Sequence, residues 1–420
     1  CKALTDFYVN ASVLPEGMFY ECDALTSVSI GPDVNDIGPF AFRSTKVEKF
    51  DVASGNKSFK VYNNNVLLSA DGTSIIAVAP TVRGEFTSDQ IGGAAVTVIG
   101  KGAFSHNIKI TSVVLPNVTV VGEYGFGSST ALKSVTLGEL STVNDYGFFE
   151  TAITQLPVFA GDVSVGKYAF SHTKLTSVTI PDGMTLAEGV FSECVELKTV
   201  VIGNNVTIGD YAFSVDKDNC FKIKSYDKDG EKYFYYEFVT QLSSLTIGDN
   251  VVIGKSAFSF ATNLKKVTLG ENVVIGDYAF YNNSSLEQID LSKVLSIGDY
   301  AFSVDKDNCF SVKSYDQGGE KYFHYVFSTK LTNLTIGDNA TIGKSAFSFA
   351  TNLKKVTLGA GATIGDYAFY NNSSLTQIDL SKALSIGEYA FAGCTSLKNP
   401  VIPTTVEKLE DKVYYEKYYC

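Results

Sequence analysis

The residues able to perform acid–base or metal chemistry are few and scattered. The only histidines are His106, His172 and His324, and they fall in widely separated stretches. The chain contains neither the His-Glu-x-x-His signature of zinc hydrolases nor the Gly-x-Ser-x-Gly turn of serine hydrolases. We therefore predict that the protein is not an enzyme and that it has no catalytic, cofactor-binding or metal-binding residues.

Two kinds of segment come close to a ligand-binding motif. Gly248–Ser256 resembles a phosphate-binding loop, but five residues separate its glycines where the motif has four, and no helix is expected after it. The segments 216–219 and 305–308 could offer carboxylate and amide oxygens to Ca²⁺, but both lack the 12-residue loop with its closing glutamate. We interpret the first segment as part of a structural repeat and the second pair as solvated turns.

The motif Ile-Gly-Asp-Tyr-Ala-Phe at residues 275–280 recurs in variant form along the whole chain. Most steps between successive motif phenylalanines are 21 to 23 residues, and the series runs Phe19, Phe42, Phe104, Phe126, Phe148, Phe170, Phe191, Phe213, Phe258, Phe280, Phe302, Phe347, Phe369 and Phe391. A fixed period of this length indicates a solenoid, in which each coil buries its apolar face against its neighbours. We predict one solenoid over residues 1–402 and a cap or tail over residues 403–420.

Each coil reads as a strand, a turn, a second extended stretch that ends in glycine, and a turn with Tyr-Ala-Phe. We attribute the recurring glycine, as in Gly276, to a corner that needs a permissive backbone. The long step from Phe42 to Phe104 predicts an expanded coil over residues 43–98, with extra strands and a hairpin turn at Asp71-Gly72. Pro400 is expected inside the strand of the last coil, where a residue without an N–H fits a terminal strand.

A longer repeat of 89 residues covers about residues 206–391. Residues 253–270 and 342–359 are identical, and each copy of the block carries one insertion, at residues 214–241 and 303–330. Both insertions alternate polar and aromatic residues around a turn, which predicts two β-hairpins that project from the solenoid. Exposed aromatic side chains favour protein contact, so the candidate contact residues in the hairpins are Tyr233, Tyr235, Tyr236, Tyr322, His324 and Tyr325.

Outward positions of the first strand form two rows of small polar residues. One row includes Ser134, Gln155 and Ser177, and the second includes Thr136, Pro157 and Thr179. Because neighbouring strands lie about 4.8 Å apart, these rows become ladders on one broad face, either as a plain hydrated sheet or as a contact surface. The candidate contact residues in the ladders are Thr136, Thr179, Thr246, Thr268, Thr335 and Thr357.

The seven cysteines fall into three groups. Cys22, Cys194 and Cys394 each follow a motif phenylalanine by three residues, which favours small buried thiols in a turn, and Cys220 and Cys309 are equivalent positions of the two insertions. Cys1 and Cys420 are expected at opposite ends of the stack, too far apart to bond within one straight molecule. Each either pairs near its own end of the stack or links molecules head to tail as an intermolecular disulfide, or Cys1 bears a lipid anchor.

The chain also holds ten Asn-x-Ser/Thr triplets, which are glycan acceptors if the protein passes through a eukaryotic secretory pathway. These glycosylation candidates are Asn10, Asn56, Asn117, Asn205, Asn282, Asn283, Asn333, Asn339, Asn371 and Asn372.

Charge and hydropathy exclude several partners. The net charge is −11 without a basic run, so nucleic acid and anionic membranes are not expected to bind. No run of 18 uninterrupted apolar residues is present, so we expect no transmembrane segment.

The motif Leu-x-x-Val-x-Leu followed by Ile-Gly-x-Tyr-Ala-Phe-x-x-Cys-x-x-Leu resembles the BspA-like, or Treponema pallidum type, leucine-rich repeat. Residues 191–197 and 391–397 are clear instances, and the resemblance covers roughly residues 14–402. It implies a right-handed leucine-rich-repeat solenoid, rich in β-structure with short turns and 3-10 segments. It also implies a surface protein that adheres to host or matrix proteins, and it supplies no catalytic residues and no cofactor. The two hairpin insertions depart from the family pattern.

We therefore predict an extracellular or cell-surface scaffold for adhesion or protein binding, with a host or matrix protein as partner. The alternative is a structural subunit that binds copies of itself in an extracellular filament, possibly through the terminal cysteines.

Overall fold

The computed structural model describes residues 1–216, 221–228, 231–304, 310–316, 319–325, 329–398, 400–402, 404 and 406–414. The chain divides into two compact units, Cys1–Leu175 and Thr176–Cys420. Both units are stretches of β-solenoid, which confirms the predicted repeat fold.

The first unit contains fifteen described strands and one 3-10 helix, Ser88–Ile91. The strands are β1 (Asp6–Val9), β2 (Val13–Leu14), β3 (Ser27–Ile30), β4 (Asp36–Ile37), β5 (Lys49–Val52), β6 (Phe59–Tyr62), β7 (Val66–Ser69), β8 (Ser74–Val78), β9 (Gly84–Thr87), β10 (Val98–Ile99), β11 (Ile110–Leu115), β12 (Val120–Val121), β13 (Ser134–Leu137), β14 (Leu140–Val143) and β15 (Phe159–Val165).

The second unit contains the remaining described strands and the 3-10 helix Leu380–Lys382. The strands are β16 (Ser177–Ile180), β17 (Thr185–Leu186), β18 (Thr199–Ile202), β19 (Thr207–Ile208), β20 (Phe221–Lys228), β21 (Glu231–Phe238), β22 (Ser244–Ile247), β23 (Val252–Ile253), β24 (Lys266–Leu269), β25 (Val273–Ile275), β26 (Ile289–Leu291), β27 (Val294–Ile297), β28 (Phe310–Asp316), β29 (Gly319–Tyr325), β30 (Asn333–Ile336), β31 (Thr341–Ile342), β32 (Lys355–Thr357), β33 (Ala362–Ile364), β34 (Gln377–Ile378), β35 (Ala383–Ile386) and β36 (Lys408–Leu409).

Parallel pairing between successive coils builds two kinds of sheet in each unit. The first strand of each coil forms the sheets β1-β3-β5 and β9-β11-β13 in the first unit, and β16-β18-β22-β24 and β26-β30-β32-β34 in the second. The second extended stretch forms the sheet β2-β4 and the parallel part β8-β10-β12-β14-β15 of a seven-stranded sheet in the first unit. In the second unit it forms the nine-stranded sheet β17-β19-β23-β25-β27-β31-β33-β35-β36. Alternate residues of the first strands are buried, as in Thr199–Ile202, because one face of the strand lies on the core.

A column of phenylalanine rings forms the centre of the core. Phe258, Phe280, Phe302 and Phe347 follow one another with ring centroids 5.1–5.4 Å apart and ring planes within 7° of parallel. This spacing is close to the separation of neighbouring strands, about 4.8 Å, so one ring per coil fills the interior without a gap. The prediction that one phenylalanine per coil is a core residue is confirmed.

Extra strands lie between Phe42 and Phe104. β6, β7 and β8 form an antiparallel meander, and β8 then pairs in parallel with β10 of the next coil. Gly72 lies in the turn between β7 and β8 with φ of +78°, a conformation that glycine adopts at little cost.

The predicted role of the coil glycine is wrong. Neither Gly276 nor its equivalents, such as Gly209 and Gly298, has a positive φ. A Cβ on Gly276 would instead lie 2.6 Å from the carbonyl oxygen of Ile253 in the preceding coil. Glycine recurs there because consecutive coils approach too closely for a side chain.

Two predicted strands are absent from the described residues. Residues 152–158, which include Gln155 and Pro157, form no strand, so the sheet β9-β11-β13 ends at β13. Residues 397–402 are likewise not a strand at their described positions, although Pro400 was expected inside one. In both places a proline lacks the N–H that a ladder would need.

The described part of the C-terminal segment, for which we predicted a cap or tail, forms a further coil on the stack. β36 pairs in parallel with β35, Val413 is buried, and the N–H of Phe391 donates to the carbonyl oxygen of Val413 over 2.9 Å. Tyr414 stacks on Phe391 with a centroid distance of 5.6 Å and so takes the place of the next phenylalanine.

Across the part of the chain that the structure describes, no helix has the length and apolar character that crossing a membrane requires.

Candidate interaction surface

Threonine ladders line the outer face of the first-strand sheets, as predicted from the alternation. In the second unit, Thr179, Val201, Thr246 and Thr268 are neighbours in register, and all four are exposed. A second ladder places Asp290 beside Thr335 and Thr335 beside Thr357, again with exposed side chains. In the first unit the exposed Thr136 pairs with Val114, which pairs in turn with Thr87.

The neighbouring row of the same face is more polar and partly charged. Ser177, Thr199, Ser244 and Lys266 are in register, and Lys266 bridges to Gln288 of the next coil. Gln155 and Pro157 do not continue either row, because their segment forms no strand. The face therefore presents hydroxyls and scattered charges about 4.8 Å apart along the stack.

A groove lies on this face near the C-terminal coils. It has a volume of about 560 Å³. Its walls include Lys355 and Thr357 of β32, Gln377 of β34, and Leu397 and Val401 of the segment that leaves the sheet. A protein side chain or an extended segment could lie in this groove, since it combines polar and apolar walls.

The backbone of both insertions forms antiparallel hairpins, which confirms the predicted element type. β20 pairs with β21 in the register Phe221 opposite Phe238 and Lys228 opposite Glu231. β28 pairs with β29 in the register Phe310 opposite Tyr325.

The candidate contact residues Tyr233, Tyr235 and Tyr236 lie on β21, and Tyr322, His324 and Tyr325 lie on β29. The hairpin turns at residues 229–230 and 317–318 lie outside the described residues. The role of these aromatic residues in binding stays a prediction.

The tyrosines of the Tyr-Ala-Phe turns form a second aromatic stack, which the sequence analysis did not predict. Tyr124 and Tyr146 have centroids 4.5 Å apart, and Tyr278 and Tyr300 have centroids 4.9 Å apart. These tyrosines have φ of 51–57°, in the left-handed region, so stacking compensates for an unfavourable backbone. Burial, and to a smaller extent the neighbouring tyrosine in the stack, raises the pKa of Tyr124 and of Tyr278.

Carboxylates after the coil glycine link one coil to the next. Asp277 Oδ1 accepts a hydrogen bond from the backbone N–H of Asp299 over 2.8 Å. Asp299 Oδ1 in turn accepts a hydrogen bond from the backbone N–H of Lys344 over 2.6 Å. Asp366 makes the same contact with Glu388 over 2.8 Å. These acidic residues satisfy backbone donors at the corner of the solenoid, so their recurrence has a structural explanation.

His106 and His172 have structural surroundings. His106 Nδ1 lies 2.7 Å from Ser105 Oγ, and its ring packs edge-on against Phe40 with centroids 6.3 Å apart. Burial and then the nearby Arg43 guanidinium lower the pKa of His106 to about 4. His172 packs against Phe149 in the same manner, 5.2 Å between centroids.

Within the described ranges, no group of three or more His, Cys, Asp or Glu side chains is placed to hold a metal ion.

The three motif cysteines are buried, as predicted. Cys22, Cys194 and Cys394 are 5%, 5% and 9% exposed. Cys394 Sγ lies 3.2 Å from the carbonyl oxygen of Phe369, and burial raises the pKa of its thiol to about 12. Cys1 is exposed, whereas Cys220, Cys309 and Cys420 lie outside the described residues.

The glycosylation candidates divide by exposure. Asn10, Asn117, Asn205, Asn333 and Asn339 are exposed, so a glycan on any of them is compatible with the fold. Asn371 is half-buried, and Asn56 is half-buried with its amide group donating to the carbonyl oxygens of Gly31 and Val34. Asn282, Asn283 and Asn372 are buried at 0–4% exposure, so a glycan at these three positions does not fit the folded chain.

Compared with family models, the chain matches the BspA type leucine-rich repeat region (6 copies) over residues 1–66, 97–224, 228–316 and 317–419. Because these segments cover well over half of the chain, the protein belongs to the BspA-type leucine-rich repeat family. A comparison with curated proteins finds no match.

Three solved structures are similar to this chain. A leucine-rich repeat protein from Bacteroides ovatus has 18% identity over 84% of this chain and 89% of its own, with a TM-score of 0.50. A leucine-rich repeat protein from Eubacterium ventriosum has 20% identity over 86% and 97%, with a TM-score of 0.43. A leucine rich cell surface protein from Faecalibacterium prausnitzii has 19% identity over 96% and 87%, with a TM-score of 0.37. At 18% identity, the likeness to the Bacteroides ovatus protein is one of fold alone.

Proposed function

We propose that this protein is an extracellular or cell-surface scaffold that binds a host or matrix protein and catalyses no reaction. The observation that carries the proposal is the exposed, in-register row Thr179, Val201, Thr246 and Thr268 on a parallel sheet. An extended surface of this kind offers many weak polar contacts to a partner, which is how stacked repeats bind. Membership of the BspA-type family supports the surface location.

The contact surface of this proposal consists of the threonine ladders, the groove beside β34 and the two hairpins. The net charge of −11 favours a partner with a basic patch, because complementary charge speeds association. Exposed hydroxyls lose little hydration when they exchange water for a partner's polar groups, so the ladders suit a wet protein interface.

The ladders are tested by charge insertion with a matched control. The double variant Thr246→Glu/Thr268→Glu changes the proposed face, and Thr207→Glu/Thr341→Glu changes exposed threonines of the nine-stranded sheet in the same unit. Binding to a panel of immobilised, purified matrix and serum proteins is measured by surface plasmon resonance. We expect saturable binding to at least one protein, weakened about tenfold or more by the first pair and unchanged by the second.

Two outcomes would overturn the proposal. Equal loss of binding in both pairs would show that the ladder face has no special role, and absence of saturable binding to any protein of the panel would reject the matrix partner. A third variant that lacks both hairpins assigns their share: unchanged affinity would remove the hairpins from the contact surface.

A further inference from the structure

Two cysteines meet at the first coil of the solenoid. The backbone nitrogen of Cys1 donates a hydrogen bond to Sγ of Cys22 over 3.3 Å. The side chain of Cys1 is exposed, whereas Cys22 is 5% exposed and lies three residues after Phe19. Both thiols are free in this structure.

This hydrogen bond sets an upper limit on the distance between the Cα of Cys1 and Sγ of Cys22. An N–Cα bond is about 1.5 Å long, so the Cα of Cys1 cannot lie more than about 5 Å from Sγ of Cys22. A disulfide joins Cα atoms about 4.4–6.8 Å apart through a sulfur–sulfur bond of about 2 Å. Rotation about the Cα–Cβ bond of Cys1 can bring its Sγ to bonding distance from Sγ of Cys22. Since the side chain of Cys1 is exposed, this rotation displaces no packed group.

We propose that Cys1 and Cys22 form an intramolecular disulfide that fastens the first coil. The oxidant is a low-molecular-weight disulfide such as oxidised glutathione. The thiolate of the exposed Cys1 attacks one sulfur of the oxidant, which forms a mixed disulfide and releases one thiolate. The Cys22 thiolate then attacks the Cys1 sulfur and expels the second thiolate. Two protein thiols become one disulfide, and one small disulfide becomes two thiols.

The bond has a clear mechanical role at this place in the fold. The segment between the two cysteines includes β1, which pairs with β3, and Phe7, whose ring packs edge-on against Phe19 at 5.1 Å. Phe7 therefore covers the ring of Phe19, the first motif phenylalanine of this sequence. A disulfide from Cys1 to Cys22 closes this segment into a ring and holds Phe7 over Phe19.

The bond also bears on the head-to-tail filament. A Cys1 that is bonded to Cys22 has no thiol left for a second molecule. The same experiment therefore distinguishes the intramolecular disulfide from a filament that is linked through Cys1. The bond forms whether or not the protein binds a partner on its threonine ladders, and its failure would leave that proposal unaffected.

Peptide mapping of the full chain tests the proposal. The purified protein is incubated with oxidised glutathione without denaturant, free thiols are blocked with N-ethylmaleimide, and trypsin is added without reductant. Cleavage after Lys2 and Arg43 leaves Cys1 in residues 1–2 and Cys22 in residues 3–43. We expect these two peptides to be recovered as one linked species in most molecules, and the linkage to disappear in Cys1→Ser and Cys22→Ser.

Cys194→Ser is the matched control, because Cys194 occupies the same position of a later coil and is equally buried. It should keep the linked peptides, and reductant should lower the melting temperature of this variant and of the wild type but not that of Cys1→Ser. If Cys22→Ser fails to fold, Cys1→Ser still reports, since Cys1 is exposed. Recovery of Cys1 as a maleimide or glutathione adduct, or linked to another chain on non-reducing electrophoresis, would overturn the proposal.

Discussion

Gly276 directly follows β25, which runs parallel to β23 of the preceding coil. The nearest atom to a Cβ at this position would be the carbonyl oxygen of Ile253, at 2.6 Å. Backbone atoms cannot move aside cheaply, so the excluded side chain is a property of the stack rather than of the local turn. Gly161, by contrast, would place a Cβ in open space.

The substitution Gly276→Ala is therefore expected to destabilise the protein by about 1–3 kcal/mol through overpacking. Gly161→Ala has the same chemistry without the clash and should change stability by less than about 1 kcal/mol in either direction. Urea unfolding followed by circular dichroism measures both. Equal effects of the two substitutions would contradict the explanation from close approach.

His106 gives a second prediction at the residue scale. Its pKa is about 4 in the folded chain against an ordinary value of 6.5, because burial and Arg43 disfavour the charged ring. Between these values the unfolded chain binds a proton that the folded chain does not, so stability falls as the pH falls from about 6.5 towards 4. Allowing for partial exposure, the loss is on the order of 1–2 kcal/mol.

The variant His106→Asn isolates this contribution. Asparagine tolerates the left-handed backbone that His106 adopts at φ of 59° and has no titratable group in this range. The difference in unfolding free energy between wild type and variant, measured at pH 7 and at pH 4.5, should shift in favour of the variant at the lower pH. A constant difference would mean that His106 does not titrate abnormally.

At the scale of elements, the last described coil shows how far the motif can degenerate and still fold. Residues 409–414 read Leu-Glu-Asp-Lys-Val-Tyr, which shares only the aspartate with Ile-Gly-Asp-Tyr-Ala-Phe at 275–280. Lys412 nevertheless takes the left-handed backbone of the motif tyrosine and lies 5.4 Å from the ring centroid of Tyr389. Tyr414 takes the place of the phenylalanine on Phe391, and its buried hydroxyl has no hydrogen-bond partner among the residues that the structure describes.

Replacing Tyr414 separates ring from hydroxyl. Tyr414→Phe should leave stability unchanged or raise it by up to about 1 kcal/mol, because it removes an unsatisfied hydroxyl and keeps the stack. Tyr414→Ala should lower stability by about 1–3 kcal/mol, less than for a fully buried ring. Hydrogen exchange of β35 and β36 reports the change locally, and protection lost equally in both variants would contradict the stacking role.

The elements differ in how well the sequence predicts them, and the reason is physical. The expanded coil and the two hairpins were predictable, because turn residues and alternation act over a few neighbouring positions. The missing strand at Gln155 and Pro157 was not, since the period continues through it while a proline removes the ladder donor. The tyrosine stack and the role of Gly276 depend on the distance between coils, which no single coil encodes.

The candidate surface follows the same division. The exposure of Thr246 and Thr268 was predicted from strand alternation alone. The burial of Asn283 and Asn372 was not, because an Asn-Asn-Ser-Ser stretch reads as an exposed loop. Their amides are enclosed without a hydrogen-bond partner among the described residues, a cost that is visible only once neighbouring coils are in place.

At the scale of the whole molecule, the duplicated block is in phase with the stack. β23 and β31 are equivalent strands 89 residues apart, and both lie in the same nine-stranded sheet. β23 pairs with β19 through Ile208 opposite Ile253, and β31 pairs with β27 through Ile297 opposite Ile342. Each end of the block therefore presents the same seam to its neighbour.

Removing residues 254–342 should consequently yield a folded protein. The deletion joins Ile253 to Gly343, and residues 343–359 then stand where the identical residues 254–270 stood. We expect a soluble, β-rich chain with cooperative unfolding, since stability in a repeat array is a sum over coils and their interfaces. A deletion of residues 254–332, which is out of phase with the coils, is the control and should aggregate or unfold. Equal behaviour of the two deletions would contradict the in-phase arrangement.

The equivalence of the two ends of the duplicated block affects how the length of the protein can change in evolution. If the codons of residues 253–270 and 342–359 are also identical, the gene carries two matching stretches in the same reading frame. Unequal crossing-over between them would then remove or add one 89-residue block and leave the reading frame and the coil sequence intact. Natural alleles are then expected to differ in length by multiples of 89 residues, and each step changes the number of hairpin insertions by one. The number of hairpins per molecule that are candidates for partner contact would then vary between lineages, while the sequence of each coil stayed the same.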